Sequence, residues 1–166
     1  LFHDFAENPN TAHVAAGVAV AKSFQPDCII GLGGGSSMDC AKGINFIYSC
    51  GGRMQDYWGV GKATGPMLPM IAVPTTAGTG SEVTRNAVLA ATTQRVKVSL
   101  RSPKMLPRVA IVDPLLTRSL PPAVTADCGL DALTQCMEPL VCGRTNFITD
   151  GLAREAVVRG ERDVDR

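Results

Sequence analysis

The chain has 166 residues, 45% of them hydrophobic, and its sixteen basic and fifteen acidic residues leave a formal charge of +1. This is a globular composition able to bury a sheet, and the near-neutral balance without a lysine- or arginine-rich block excludes a nucleic-acid partner. No apolar run approaches the roughly 20 residues of a spanning helix, and the start lacks a signal-peptide layout, so no membrane partner and a cytoplasmic location are expected.

Leu1 to Phe5 alternate as a short strand would, and Thr11 reads as the N-cap of an alanine- and valine-rich helix ending near Phe24. Cys28, Ile29, Ile30 and Leu32 form an apolar run suited to a strand covered on both faces, and a helix is expected after Ser36. Strand, helix, strand, helix is the grammar of a parallel sheet with crossover helices. Gly51 to Pro69, which holds the only tryptophan, reads as a long loop, and Met70 to Val73 as a strand ended by Pro74. Val88 to Ala90 and Val96 to Leu100 predict a hairpin around a polar turn at Thr92 to Gln94. Val109 to Val112 reads as a buried strand, stopped by Asp113-Pro114 at the edge where ligands of open α/β sheets lie. After Pro121-Pro122 the pattern turns helical, over Ala123 to Glu138 and Asn146 to Val158. A domain boundary is placed near Leu120. The start without methionine and the charged close from Glu161 to Arg166 read as an internal fragment of a larger protein.

Six cysteines, Cys28, Cys40, Cys50, Cys128, Cys136 and Cys142, form no C-x-x-C pair and sit mostly in apolar stretches. Reduced, buried thiols are expected, with a reactive thiol at Cys136 or Cys142 as the alternative.

The stretch from Asp27 to Lys42 carries the strongest chemical signal. Gly33, Gly34 and Gly35 remove the side chains that would keep a ligand from the backbone, and Ser36, Ser37 and Asp39 supply helix-start chemistry. A helix beginning here aims free N–H groups and a positive dipole end at a pyrophosphate. The bland alternative is a tight strand-to-helix turn, for which a third glycine followed by paired serines is superfluous.

A second polar cluster, Pro74 to Thr84, follows the next strand. Thr75, Thr76, Thr79 and Ser81 place four hydroxyls in a loop loosened by Gly78 and Gly80, able to bond a ribose, an amide or phosphate oxygens. Otherwise this is a hydroxyl-rich turn capping a helix. A third cluster, Asp127, Asp131, Gln135 and Glu138, falls on one helix face, where a solvated polar stripe is the common explanation. Pro139 removes the bond to the Gln135 carbonyl, so a kink or a helix end is expected there.

Four ordered stretches, GGGSSMDCAK, PTTAGTGSEVT, LPRVAIVDP and GLDALTQCMEPLV, together resemble the iron-containing, group III alcohol dehydrogenases, in a superfamily with glycerol dehydrogenase and dehydroquinate synthase. The resemblance implies an α/β fold: a Rossmann-like parallel-sheet nucleotide-binding domain over residues 1–120, its first βα unit missing before Leu1, then the start of an all-helical metal and substrate domain over 121–166. It implies NAD or NADP in the cleft, with Gly34, Gly35, Ser36 and Asp39 at the cradle. Thr75, Thr76, Thr79 and Ser81 would line the crevice, and Asn86 and Lys97 would reach toward the nicotinamide ribose. It implies Fe2+ or Zn2+ held by one Asp and three His, with Asp131 as first ligand, a small alcohol or aldehyde as substrate, and a homo-oligomeric parent.

The chain departs from that pattern at Gln135, where the family carries His one helical turn after the Asp. A carboxamide is a poor substitute for imidazole on iron or zinc. His3 and His13 precede the cradle and read as ordinary surface or packing residues. The expected function is an NAD(P)-dependent alcohol dehydrogenase, the fragment alone being inactive. Alternatives are a metal-independent, maleylacetate-type carbonyl reductase, a dehydroquinate-synthase-like lyase, or a degenerate nucleotide-binding protein without turnover.

Overall fold

The computed structural model describes residues 1–92, 94–144 and 146–164. It divides into two compact units, one of residues 1–75 and 81–114 and one of residues 76–80 and 115–166.

The first unit is α/β. Helix α1 (Thr11–Phe24) starts at Asn10, whose side chain accepts from the Ala12 and His13 N–H groups while His13 Nδ1 accepts from the Asn10 N–H. Asn10 therefore caps the helix in place of the expected Thr11, and His13 closes a reciprocal capping pair instead of acting as a plain surface residue. Val14, Gly17, Val18 and Ala21 recur at helical spacing on the buried face.

Strand β1 (Ile29–Gly33) leads into α2 (Gly35–Cys50), and the two-residue strand β2 (Gly59–Val60) follows a single 3-10 turn at Met54–Tyr57. The segment expected to be one long loop thus carries both a turn of helix and a strand. Strand β3 (Met70–Pro74) lies parallel to β1, with Ile30 opposite Ile71. Strands β4 (Asn86–Ala91) and β5 (Val96–Arg101) pair antiparallel, as the hairpin pattern predicts. Thr93, in the polar turn proposed for this hairpin, lies outside the described residues, as do Asp165 and Arg166 of the terminal charged run. Strand β6 (Val109–Ala110) completes a parallel sheet ordered β1-β3-β6, and β2-β5-β4 form a second, mixed sheet.

Three further expectations about this unit fail. Leu1 to Phe5 form no strand, because no ladder partner lies beside them among the described residues; Phe2 and Phe5 instead stack on each other and pack on the core. Strand β1 is not covered on both faces: Ile30 and Leu32 are each 61% exposed, and they border an apolar groove with Phe2, Val20 and Phe24. The run from Val109 to Val112 is only two residues of strand, at the edge of the sheet, and all four residues are exposed. The main core instead joins Val14 and Val18 of α1 to Ile44 and Phe46 of α2 and to Leu89 and Leu100 of the hairpin. A smaller cluster of Met38, Met70 and Ala72 seats α2 on the parallel sheet.

The second unit holds α3 (Pro122–Val141) and α4 (Phe147–Val164), which pack on each other. Helix α3 does not end at Pro139: it continues to Val141, and the Cys142 N–H closes it onto the Pro139 carbonyl at 3.3 Å. A proline this near the C-terminus costs one hydrogen bond in a turn that already tightens toward 3-10 geometry. Of the six free cysteines only Cys40 is buried, while Cys28 and Cys142 are exposed, so buried packing describes one thiol and not the set.

Candidate functional site

The sheet delivers the glycine run to the carboxyl end of β1. Gly33 has φ 133°, and a Cβ there would stand 2.3 Å from Ser37 Oγ, so any side chain would collide with the helix that follows. Gly34 is the N-cap of α2 and makes no side-chain cap. The N–H groups of Gly35, Ser36 and Ser37 lie in the first turn, where a helix has no acceptor of its own for them, at the positive end of a 16-residue helix. The Thr75 N–H donates to the Gly33 carbonyl at 3.0 Å, which fixes the end of β3 beside this turn.

Asn8, which the sequence pattern does not single out, organises the flank. Its backbone is left-handed, φ 54°, its N–H donates to Ser36 Oγ at 3.2 Å, and its Oδ1 accepts from Lys97 Nζ at 2.7 Å. The Ala90 N–H donates to the Pro9 carbonyl at 2.8 Å, so β4 holds the Asn8 segment in place. Ser36 and Lys97, distant in sequence, thereby share one partner. The available signal is Asn8 itself, since Asn is enriched at positive φ; Pro9 after it would by itself favour extended backbone.

Asp39 is engaged away from the glycine turn. Its Oδ1 accepts from Ser81 Oγ at 2.9 Å and its Oδ2 from the Val88 N–H at 3.0 Å. Burial raises its carboxyl above the usual carboxylate range, against the opposing pull of those two donors and of Lys42. One helical turn on, Lys42 is fully buried, and its Nζ meets oxygens of Ser81, Thr84 and Asn86. Burial pulls its ammonium down to about 8, opposed by Asp39 and Glu82. Nothing in the sequence sets Lys42 apart from any other helix lysine.

In the second unit, Thr76 and Thr79 belong to the short segment that packs with α3. A Cβ on Gly78 would stand 2.8 Å from the Cys128 carbonyl oxygen, so the glycine lets that segment and the helix meet backbone to backbone. Gln135 Nε2 donates to Asp131 Oδ2 at 3.0 Å and to the Gly78 carbonyl at 3.3 Å, which places Asp131, Gln135 and the threonine segment together. Asp127 and Glu138 stand on the same helix and are exposed. Among the described residues no three His, Cys, Asp or Glu side chains gather as a metal site would require. None of the described helices is long and apolar enough to cross a membrane.

Sequence and structure comparisons agree on kinship. Residues 1–114 match the family described as iron-containing alcohol dehydrogenase. The chain is 42% identical over 157 residues to 1,3-propanediol dehydrogenase of Klebsiella pneumoniae, covering 95% of this chain and 41% of that relative. A crystal structure of 1,3-propanediol oxidoreductase superposes with a TM-score of 0.86 at 43% identity, over 90% of this chain and 39% of its own. The sulfoacetaldehyde reductase of Bifidobacterium kashiwanohense, solved in complex with NAD+, gives 0.75 at 40% identity over 83% of this chain and 37% of its own. The chain therefore spans about two fifths of the length of these relatives. A parallel sheet that ends in a glycine turn, in a sequence matched to one family over most of its length, leads to a single assignment: the chain belongs to the iron-containing alcohol dehydrogenase family.

Proposed function

We propose that the chain serves an NAD(P)-dependent alcohol dehydrogenase that interconverts a small alcohol and its aldehyde or ketone. The observation that carries this reading is the turn at Gly33 into the helix start at Gly34, where a Cβ cannot be placed and no side chain caps the exposed N–H groups. A pyrophosphate needs such a close backbone approach, such donors and such a dipole, so these residues fit the cofactor.

When bound, the nicotinamide supplies the hydride acceptor or donor. Gly34, Gly35 and Ser36 hold the pyrophosphate through backbone and hydroxyl donors. Thr75, Thr76, Thr79 and Ser81 offer hydroxyls along the cofactor, and Asn86 and Lys97 serve the nicotinamide ribose, Lys97 oriented by its bond to Asn8. Asp39 works at one remove, since both its oxygens are occupied by Ser81 and Val88. Residues 1–120 are assigned to nucleotide binding and 121–166 to a helical substrate domain. A homo-oligomeric enzyme acting in the cytoplasm completes the proposal, and relatives named for alcohols and diols support a small substrate.

The residues toward a metal do not fit Fe2+ or Zn2+. Asp131 Oδ2 already accepts from the Gln135 amide, and a carboxylate beside a carboxamide is a weak donor set for either ion. This favours a second reading, a carbonyl reductase that needs no metal. Incubation of the enzyme with NAD+ or NADP+ and a panel of short alcohols, diols and hydroxy acids tests the proposal. Reduction of the nicotinamide is expected with at least one of them, and none with any, with or without added metal, rejects alcohol oxidation. Turnover of carbonyl substrates that survives chelation selects the second reading.

A further inference from the structure

From the buried contacts of α2 we infer that Lys42 and Asp39 are positioning residues that lock the Ser81–Asn86 segment to the cradle helix. Neither touches the cofactor; together they set where Ser81 and Asn86 present themselves to it. This rests on the nucleotide-binding reading above.

The geometry is that of a clamp. Lys42 Nζ has three protons and five oxygens within reach: the Ser81 carbonyl, Ser81 Oγ at 3.1 Å, the Thr84 carbonyl at 2.9 Å, Thr84 Oγ1 at 3.0 Å and the Asn86 carbonyl at 3.1 Å. All five belong to one six-residue stretch, which contains a short 3-10 turn, Ser81–Val83, before β4. Ser81 Oγ accepts from Lys42 and donates to Asp39, so the ammonium and the carboxylate are joined through one hydroxyl. Asp39 also takes the Val88 N–H, extending the hold two residues into β4. Thr84 Oγ1 donates back to the Ser81 carbonyl at 3.2 Å and closes the turn on itself.

A stretch of turn with this many carbonyls facing inward needs an internal donor, because water does not reach a lysine with no exposed surface. An apolar side chain of the same length would satisfy none of them. The charge is expensive to bury, as the lowered ammonium and raised carboxyl both record. Its retention is explained by the position it imposes on the loop. Leu, Met or Ile would serve if only packing against the core were needed.

The test replaces Lys42 by Met, which keeps length and removes the donor, and pairs it with Thr84→Val, which removes one acceptor at little cost in shape. Binding of ADP and of NADH to the wild-type chain and both variants is titrated, with hydrogen exchange of the 81–88 amides followed in parallel. ADP probes the glycine cradle alone, and NADH also engages the locked segment. The expected result for Lys42→Met is NADH affinity reduced about tenfold with ADP affinity held within about twofold, the loss of one charge-assisted contact set. Exchange at Thr84 and Val88 should accelerate while α1 is unchanged, and Thr84→Val should show a smaller change in the same direction. Equal loss of ADP and NADH in both variants, or no change in either, overturns the positioning role. If wild-type chain binds neither nucleotide, the nucleotide reading fails. The exchange data then decide the clamp separately: unaltered protection of 81–88 in both variants rejects it, and selective loss there upholds it.

Discussion

Gln135 Nε2 and Asp131 Oδ2 lie 3.0 Å apart, one helical turn along α3, and the same amide nitrogen reaches the Gly78 carbonyl at 3.3 Å. Both protons of one carboxamide are thus used to hold a carboxylate and a glycine carbonyl. The pair sits where the family resemblance places a metal ligand followed by an imidazole, yet here the amide pins the threonine segment to its helix.

Removing that amide should therefore change local order more than metal binding. Gln135→Ala is expected to lower stability by no more than about 1 kcal/mol, since both contacts are exposed and the gain from such bonds is small. Thermal unfolding measures it. In the same experiment a chelator should leave the wild-type transition unmoved. Gln135→His restores an Asp/His pair at i,i+4 and should raise zinc affinity at least about tenfold by calorimetry; an unchanged affinity would show that Asp131 is not oriented for a metal.

Gly33→Ala puts a methyl group where φ is 133° and where Ser37 Oγ lies 2.3 Å away. The strain of a non-glycine residue in that region, about 1–3 kcal/mol, should appear as a lowered unfolding midpoint. Because the displaced atoms belong to the first turn of α2, nucleotide affinity should fall further than stability alone accounts for. Retention of both by the alanine variant would mean that the turn relaxes freely.

Lys42 gives a pH dependence of definite sign. Its folded value of about 8 lies below the ordinary 10.5, so between these two values the unfolded chain holds the proton that the folded chain has released. Stability therefore rises with pH across that window. Asp39, raised by burial, acts in the acid range with the opposite slope: it favours folding while protonated, and that contribution is lost as pH climbs through its folded value. Cys40, raised to about 11, has the opposite slope to Lys42 in both proteins, so urea unfolding should show wild-type stability rising with pH relative to that of Lys42→Met across the Lys42 window. Equal slopes would mean that the lysine is not buried as described.

Thiol chemistry offers an independent check on packing. Cys28 and Cys142 are exposed, whereas Cys40 is buried and its thiol is pushed up to about 11 by desolvation and by Asp39. Alkylation followed by peptide mapping should label Cys28 and Cys142 first and Cys40 only after unfolding. Early labelling of Cys40 would contradict the seating of α2 on the core.

The strand at Ile29, the glycine turn and the helix that follows are legible from sequence because each is signalled locally, by an apolar run, by glycines and by serines. The hairpin of β4 and β5 is legible for the same reason. Features that depend on distant partners are not. Whether β1 and β6 are covered is decided by what packs on the faces of the sheet, and Leu1 to Phe5 lack a ladder partner that their alternation alone cannot reveal. Asn8 and Lys42 take partners 89 and 39 to 44 positions away; the local preference of Asn for positive φ does not name Lys97, and nothing adjacent to Lys42 announces its clamp. Asp39 reads locally as part of a helix start, whereas its two acceptor oxygens face Ser81 and Val88.

The central claim is that the Gly33 to Ser36 turn cradles a dinucleotide, and the measurement closest to it is a fluorescence titration of the chain with NADH, competed with ADP. The account predicts saturable binding that ADP displaces and that Gly33→Ala weakens. A signal that never saturates, or one that ADP and the alanine substitution both leave untouched, would contradict it.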